Sequence, residues 1–377
     1  MELRFRNVND AFRGVIEGIE TGGIPTVRSP SRNGDVLMIP EPLTITYERP
    51  TERVLFNPSR DANPFFHLFE SLWMLAGRND LAPLEHFVST FGNFSDDGKT
   101  FNGAYGYRWR HPQGRYTLYE RLEFCEGVDQ LSVLIEHLKV HPESRRAVLA
   151  MWNVEDDLMK VGVGDFSKDV CCNLSACFSI RDTGICKRDH ADPNCPCVTD
   201  GHDMAKVLDM TVFNRSNDLI WGTLGANAVH FSFLQEYMAT ALGVGVGVYH
   251  QISNNAHVYT ERYEATKWIT EDTPDFTFEN SVPFVQNRER FDVEVKDIVS
   301  LGYGPDVDRI LSDTIFSEPF IEGVAKKMFM AFAFHKKRDY KRAFAAIGRV
   351  FDEPWREAGT TWLEKRRYTF NKKVNGG

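Results

Sequence analysis

The chain has 377 residues, of which 42% are hydrophobic, and its formal net charge at pH 7 is -9. That length and composition are enough to bury a large core in one big domain or two small ones. A protein that follows a nucleic-acid backbone usually has a basic binding domain, so the acidic balance argues against a nucleic-acid partner, although it does not exclude a small phosphate group held by a few arginines.

The apolar segments and the cysteines favour a protein of the reducing cytoplasm. No apolar run reaches the length that spans a membrane, because the longest, 239–249, is interrupted by glycines. The chain begins with charged residues instead of a signal peptide, and its 7 cysteines show no even spacing. We therefore expect no membrane partner and a cytoplasmic location, in the host cytoplasm if the chain is phage-encoded.

Helices and short strands alternate in the first half of the predicted structure. Apolar residues recur at helical spacing in two segments, and strand-like runs lie between them. The expected ranges are 8–20 and 128–139 for the helices and 36–39 and 43–47 for the strands. In the same half, Asn63 and Pro64 begin a strongly apolar helix that extends to Gly77 and contains one carboxylate, Glu70.

The second half combines strands with a long apolar helix and ends in a helical segment. Its predicted strands are 146–152, 173–181, 207–214 and 246–252, and its predicted helical segments are 229–242 and 321–366. Residues 184–202 interrupt this pattern because they are polar and rich in cysteine, proline and aspartate. They predict a surface insertion between two strands.

Three short motifs carry the side chains that a nucleotide needs. Arg215 and Ser216 place a cation beside a hydroxyl group, which suits a phosphate. Asn227, about a dozen residues later, offers an amide that suits the edge of a base. His257 and Tyr259 lie two residues apart on a predicted strand, so they point to one face and suit a sugar hydroxyl. Together these residues predict a nucleotide-binding site.

Three other arginines are candidates for binding the phosphate of the same substrate. Arg145 and Arg146 come just before a strand, and two adjacent guanidinium groups cannot both point into one core, so at least one is exposed or paired. Arg32 lies in a flexible loop that precedes the first predicted strand. An ordinary surface charge explains each of the three equally well.

Two further features are candidates for catalysis. Cys171 and Cys172 precede a strand, and a thiol there becomes a nucleophile if neighbouring arginines favour its thiolate. The alternative is that both are small buried hydrophobic residues. Glu70 lies among apolar residues, where a carboxylate is costly unless it is paired or transfers protons with a raised pKa. A glutamate on the solvent side of an amphipathic helix fits that sequence equally well.

The polar insertion contains a possible zinc site. Its candidate ligands are Cys186, His190, Cys195 and Cys197. These residue types suit zinc, but their spacing matches none of the usual paired-cysteine patterns. Reduced cysteines in a solvated loop are the alternative.

In order and spacing, the motifs over about residues 28–260 resemble the thymidylate synthase superfamily, which includes the deoxypyrimidine monophosphate hydroxymethylases of phages. The segments that carry the resemblance are Glu70–Gly77, Asn102–Arg110, Ser144–Val154, Cys172-Asn173, Arg215-Ser216-x-Asp218, Asn227 and Asn255–Tyr259. One residue more than in the family separates Asp218 from Asn227.

The resemblance implies a three-layer α/β fold with a mixed β-sheet. In this reading, 1–320 form the catalytic domain, with a cysteine-containing surface insertion at 184–205, and 321–377 form a helical C-terminal extension packed on it. The resemblance also implies an obligate homodimer, in which Arg145 and Arg146 reach the phosphate of the neighbouring subunit.

The chemistry that the resemblance implies is covalent. The Cys172 thiolate adds to C6 of a pyrimidine nucleoside monophosphate, and C5 then attacks the one-carbon unit of 5,10-methylenetetrahydrofolate. Glu70 would transfer protons through ordered water, Tyr105 would assist near C5, and Asp218 would help to hold the folate. Cys172 is preferred to Cys171 because counting back from the end of the strand places it in register.

The sequence leaves alternatives for the product of the reaction and for the base of the substrate. Residues 373–377 lack the apolar segment that closes the site of synthases against water, which favours hydration to a hydroxymethyl group over the hydride transfer that makes dTMP. Asn227 favours uracil, although a flipped amide would also fit cytosine. We therefore predict 5-hydroxymethylation of dUMP or dCMP. The alternatives are a thymidylate synthase and a catalytically inactive nucleotide- or RNA-binding module.

Overall fold

Strands and helices alternate along the residues that the structure describes. The computed structural model describes residues 1–111, 116–117, 124–125, 128–162, 167–186, 204–267 and 282–375. The strands are β1 (Glu2–Phe5), β2 (Val27–Ser29), β3 (Val36–Met38), β4 (Leu43–Tyr47), β5 (Tyr116–Thr117), β6 (Phe124–Cys125), β7 (Val148–Ala150), β8 (Asn173–Cys186), β9 (Met204–Asn214), β10 (Asn217–Asp218), β11 (Gly245–Ser253) and β12 (Ala256–Tyr259). The α-helices are α1 (Val8–Glu20), α2 (Pro64–Leu75), α3 (Ala82–Phe87), α4 (Tyr105–Arg110), α5 (Gln130–Val140), α6 (Met159–Gly162), α7 (Asn227–Leu242), α8 (Thr260–Thr266), α9 (Arg288–Leu301), α10 (Val307–Asp313), α11 (Lys326–Lys336), α12 (Tyr340–Ile347) and α13 (Glu353–Asn375).

The largest sheet has six strands in the order β1-β4-β11-β9-β8-β7. It is mixed, because β1 pairs with β4 and β9 with β11 in parallel, whereas the other neighbours are antiparallel. Buried and partly exposed residues alternate along its strands, as expected for a sheet with one covered face. On the other face, Val148 remains 48% exposed and Phe213 36% exposed.

Helices cover the buried face in two layers. α7 packs on β9 and β11, and α2 packs on α7. On its other side, α2 contacts α9, α11 and α13. Asn63 caps α2 and Pro64 occupies its first turn, and every residue of the helix except Glu70 is buried because other helices surround it. The sheet, the inner helices and the outer helices form the predicted three-layer α/β arrangement.

The C-terminal helices share the core with α2. The ring of Phe65 in α2 lies 5.6 Å from that of Phe332 and 5.4 Å from that of Trp362. These residues belong to one continuous cluster of buried apolar side chains. Among the described helices, none is both long and apolar enough to cross a membrane.

A second, four-stranded sheet with the order β10-β12-β3-β2 brings distant segments together. In it, His257 of β12 lies opposite Asp218 of β10 and Met38 of β3. The β2–β3 hairpin therefore places the loop that contains Arg32 beside the segment that follows β9 and contains Arg215. This sheet assembles the predicted nucleotide-binding residues.

The sequence predicts some of these elements better than others. The first helix has the predicted bounds, whereas the predicted strand 146–152 shortens to β7, because only its middle pairs with β8. α9 and α10 were not predicted. β8 continues to Cys186, which pairs with Met204 at the start of β9.

Candidate active site

Five of the predicted nucleotide-binding residues line one cavity of about 500 Å³. They are Arg32, Arg215, Ser216, His257 and Tyr259. Two arginines and a hydroxyl group supply donors for a phosphate, and the histidine and tyrosine supply groups for a sugar. The ring centroids of His257 and Tyr259 lie 5.6 Å apart, as expected for residues on one face of a strand.

Arg215 connects this phosphate cavity to the candidate nucleophile. Its Nε donates to the carbonyl oxygen of Cys171 (2.8 Å) and its Nη2 to that of Val170 (3.0 Å). Nη2 also lies 3.5 Å from Sγ of Cys172. A guanidinium group in that position favours the thiolate over the thiol.

The two adjacent cysteines have different surroundings. Cys171 is buried, and its Sγ donates to the carbonyl oxygen of Asn173 (2.9 Å). Cys172 is only partly buried. Burial raises the pKa of both thiols, and for Cys172 the positive charges of Arg215 and Arg32 oppose that effect, while Asp157 and Asp169 add to it. Cys172 is therefore the accessible thiol of the pair.

A second cavity, of about 220 Å³, contains the other predicted catalytic groups. Glu70, Tyr105 and Asn227 line it, and so does Val170, whose carbonyl oxygen lies 3.8 Å from Sγ of Cys172. Cys172 itself lines neither cavity, but it lies next to one lining residue of each, Arg215 and Val170. The apolar part of the lining consists mainly of Trp73, Met74, Leu84, Phe91, Phe94 and Phe101.

Glu70 faces a histidine that the sequence analysis missed. Nε2 of His230 lies 3.2 Å from Oε2 of Glu70, which is an ion-pair distance, although the angles do not make it a hydrogen bond. His230 lies three residues after Asn227 on α7, so the two share a face of the helix. That spacing is the sequence signal that points to His230.

Two other groups around Glu70 are held neutral by burial. Burial lowers the pKa of His67 well below its usual value, and the charges of Arg60 and His230 add to that effect. Burial raises the pKa of Tyr105 well above its usual value, and the nearby Cys172 and Cys171 raise it further. A neutral phenol next to the nucleophile can donate a hydrogen bond to a reacting group.

The segment with the additional residue before Asn227, Leu219–Ala226, forms a π-type turn. Such a turn contains one residue more than an α-helical turn of the same span. Gly225 within it has φ -145° and ψ -118°, where the backbone kinks before α7 begins. Asn227 consequently reaches the second cavity in spite of the longer connection.

Asp218, the predicted folate-binding residue, lines neither of these two cavities. Its Oδ1 caps the π-type turn by accepting from the backbone N–H of Trp221. Its Oδ2 is buried and has no hydrogen-bond partner among the described residues. Burial raises the pKa of this carboxyl group, against the effect of the Trp221 N–H and of the charges of His257 and Arg60.

Arg145 and Arg146 do not line the phosphate cavity of their own chain. Both are exposed at the start of β7, next to the open face of the large sheet. The backbone N–H of Arg146 donates to Oγ of Ser144 (3.2 Å), which also bonds Nε2 of His137 (2.7 Å). These contacts hold the arginine pair at the edge of the molecule.

Most of the predicted zinc ligands lie outside the residues that the structure describes. Cys186 is the last residue of β8, and His190, Cys195 and Cys197 lie outside the described residues. Over the part of the chain that is described, no group of three or more His, Cys, Asp or Glu residues is arranged to hold a metal ion.

Comparison with known proteins shows the family of the chain. The family model for thymidylate synthase matches residues 66–311. A protein named deoxyuridylate hydroxymethyltransferase, from Pseudomonas phage M6, is 39% identical over 98% of this chain and 95% of its own length. Proteins of the same name from Bacillus phage SP01 and Delftia phage PhiW-14 are 38% and 27% identical, over 61% and 60% of this chain and 52% and 56% of theirs. The chain therefore belongs to the thymidylate synthase family.

Proposed function

We propose that this protein transfers a one-carbon unit from 5,10-methylenetetrahydrofolate to C5 of dUMP and releases 5-hydroxymethyl-dUMP. The observation that carries the proposal is the position of one partly exposed thiol, Cys172, next to a lining residue of each of the two cavities. One cavity has the groups that bind a phosphate and a sugar, and the other has a carboxylate, a phenol and an amide. A nucleotide that spans them places its base against Cys172.

Different residues of the chain would bind the phosphate, the sugar and the base of the nucleotide. Arg215, Ser216 and Arg32 would hold the phosphate, and His257 and Tyr259 would hold the sugar hydroxyl. The base would then face the amide of Asn227, which offers one donor and one acceptor to its edge. Fixing both ends of the nucleotide positions C6 for attack by Sγ.

The first chemical step in this proposal is addition of the Cys172 thiolate to C6. The new S–C bond moves the electron pair of the C5–C6 double bond onto C5 and O4, and the N–H of Asn227 stabilises the charge at O4. Methylenetetrahydrofolate supplies the electrophilic one-carbon unit when it is bound. Glu70 and His230 can hold water and exchange protons with it, while Tyr105 donates a hydrogen bond beside Cys172.

The lining of the second cavity suits the ring system of a folate. Its aromatic and aliphatic lining suits a flat heterocyclic ring system, which binds by stacking and by loss of hydrated apolar surface. Asp218 lines neither cavity, so its assignment to the folate rests on the family resemblance. Trp73, Phe91 and Phe101 are the residues that we assign to holding the ring.

The product distinguishes this proposal from its nearest rival, a thymidylate synthase. The names of the phage relatives favour hydroxymethylation. Incubation of the protein with dUMP and methylenetetrahydrofolate, followed by mass spectrometry, should give 5-hydroxymethyl-dUMP without dihydrofolate. If thymidylate and dihydrofolate form in equal amounts, the protein is a synthase.

We further propose a homodimer in the cytoplasm. A reducing compartment keeps Cys172 as a free thiol. The exposed Arg145 and Arg146 and the open sheet face around Val148 and Phe213 fit a contact between two copies in which each copy contributes arginines to the other's phosphate cavity.

A further inference from the structure

A residue without an assigned role contacts the base-reading amide. Asn217 lies in β10, where its backbone N–H donates to the carbonyl oxygen of Asn255 (2.9 Å). Its side chain is only 5% exposed, and its Oδ1 accepts a hydrogen bond from Nδ2 of Asn227 (3.2 Å). Within the described residues, Asn227 has no other side-chain hydrogen bond. This hydrogen bond favours one orientation of the Asn227 amide over the flipped one.

The direction of the amide decides which base it fits. With one N–H given to Asn217, Asn227 keeps its carbonyl oxygen and its second N–H for a ligand. These groups match the N3–H donor and the O4 acceptor of uracil. Cytosine has an acceptor at N3 and an amino group at C4, so it needs the reversed amide. The reversed amide of Asn227 would direct its oxygen at Oδ1 of Asn217, and two oxygens repel each other.

Asn217 could remove that repulsion only by turning its own amide, and Gly222 opposes this turn. The main chain of Gly222 passes so close to Oδ1 of Asn217 that a Cβ there would overlap it, and that position lies 3.4 Å from Nδ2 of Asn227. An amino group with its two hydrogens is larger than a carbonyl oxygen, so the oxygen fits better against Gly222. Nδ2 of Asn217 has no hydrogen-bond partner among the described residues, which leaves Gly222 and Asn227 to set its orientation.

We propose that Asn217, supported by the close approach of Gly222, sets the base selectivity of the site by keeping Asn227 in the orientation that reads uracil. The inference rests on the proposed function, because it takes the base to lie against Asn227. Asn217 is a positioning residue, since it acts on the base through another side chain.

The test measures binding of dUMP and of dCMP, without folate, by calorimetry. The parent protein should prefer dUMP, and Asn217→Leu should lower the ratio of the two affinities by about tenfold, which corresponds to one lost orienting hydrogen bond. Asn217→Asp keeps the shape of the side chain. Its carboxylate can accept the hydrogen bond from Asn227 but cannot donate one, so this variant should retain or increase the preference for dUMP. Gln251→Leu removes another fully buried amide from the sheet and should leave the ratio unchanged.

Three results would overturn the inference. They are a parent protein that binds both nucleotides equally, an Asn217→Leu ratio within about twofold of the parent ratio, and an Asn217→Asp variant that gains affinity for dCMP relative to dUMP. The shape-conserving Asn217→Asp variant answers the question even if Asn217→Leu does not fold. If the binding ratios behave as expected but the parent protein makes no product, the proposed reaction is wrong and the inference on selectivity stands.

Discussion

Cys171 and Cys172 are neighbours in the sequence but differ in what they can reach. The sulfur of Cys171 is buried and bonded to the main chain, whereas that of Cys172 is partly exposed beside the guanidinium group of Arg215. Only a thiol that a ligand can approach can act as a nucleophile. The structure thus gives a physical reason for the assignment of Cys172 that the family resemblance implies.

Removal of the Cys172 sulfur should stop the reaction without removing the nucleotide. We expect Cys172→Ala to reduce tritium release from C5-labelled dUMP by at least about 10³-fold, because the S–C6 bond cannot form. Its affinity for dUMP should change little, because the arginines of the phosphate cavity remain. Exchange kinetics and calorimetry measure the two effects separately.

Cys171→Ala is the matched control for this change. It removes the buried sulfur of the adjacent residue, so we expect a modest loss of stability and exchange within about tenfold of the parent rate. If Cys171→Ala abolishes exchange and Cys172→Ala does not, the nucleophile is one position earlier. The two variants together therefore decide which sulfur attacks.

Some residues of the candidate site can be predicted from the sequence more readily than others. The motifs around Glu70 and Arg215 predicted residues that the fold brings to the same two cavities. His230 was missed, because a histidine on an apolar helix is usually an ordinary core residue. The pairing of Asn217 with Asn227 was also missed, since it depends on a main-chain path ten residues long and not on a pattern of residue types.

At the scale of elements, α2 links the site to the C-terminal helices. Glu70 is its one residue that is not fully buried, and the opposite side of the helix packs on Phe332 and Trp362. The helix is straightforward to predict from its cap, its proline and its apolar run. The elements that pack on this helix could not be predicted, because apolar residues on every side of a helix do not indicate which element covers which side.

Trp362 should contribute strongly to the stability of this packing. Its side chain is 8% exposed, and its ring lies 5.4 Å from Phe65 and 4.9 Å from His335. We expect Trp362→Ala to lower the free energy of unfolding by about 3 kcal/mol, because it leaves a large cavity. Urea denaturation followed by circular dichroism measures the change.

The control for Trp362 is in the same helix. Tyr368 is 70% exposed, so Tyr368→Ala should change the free energy of unfolding by less than about 0.5 kcal/mol. Equal losses in the two variants would show that the C-terminal helix unfolds separately from α2, in contradiction to the shared core.

The π-type turn lies where the chain has one residue more than the family. The sequence has one residue more than the family between Asp218 and Asn227, and from spacing alone this residue leaves the register of the amide open. The turn over Leu219–Ala226 contains this residue, and Asn227, which follows it, lines the same cavity as Glu70. Hydrophobic spacing does not distinguish a π-type turn from an α-helical one over so few residues.

For the whole molecule, the open sheet face and the arginine pair both fit the proposed homodimer. Val148 and Phe213 expose apolar surface on that face, and Arg145 and Arg146 lie at its edge. A two-fold contact through the sheet would bury the apolar side chains. It would also carry each arginine pair towards a second molecule, as the family resemblance implies.

Mixing two inactive variants tests whether the arginines act across subunits. A heterodimer of Cys172→Ala and Arg146→Ala has one site with both an intact sulfur and an intact Arg146. After subunit exchange, an equal mixture should therefore recover up to about a quarter of the parent activity, because half of the dimers are mixed and each has one good site. The measurement is tritium release before and after exchange.

The control mixes Cys172→Ala with Glu70→Gln. Both residues belong to the same chain's site, since Glu70 and the Val170 carbonyl beside Cys172 line one cavity. No mixed dimer then has a complete site, and activity should stay absent. Recovery in this mixture, or none in the first, would contradict the shared site.

The sequence predicted the overall architecture well and its periphery less well. The mixed α/β fold and the family follow from motifs that lie on regular elements, where spacing translates directly into shared faces. α9 was overlooked although Phe291, Val295 and Ile298 form an apolar stripe, because charged residues separate them. The large-scale path of the C-terminal helices depends on packing between distant segments, which local patterns do not encode.

The position of Glu70 on α2 has a consequence for how this protein tolerates change. A helix buried on almost every side cannot shift without disturbing several neighbours, so a substitution that loosens the packing around Phe65 or Phe69 also moves the carboxylate. Heat-sensitive variants, which work in the cold and fail on warming, would accordingly be concentrated in this helix, where thermal tolerance and turnover depend on the same side chains.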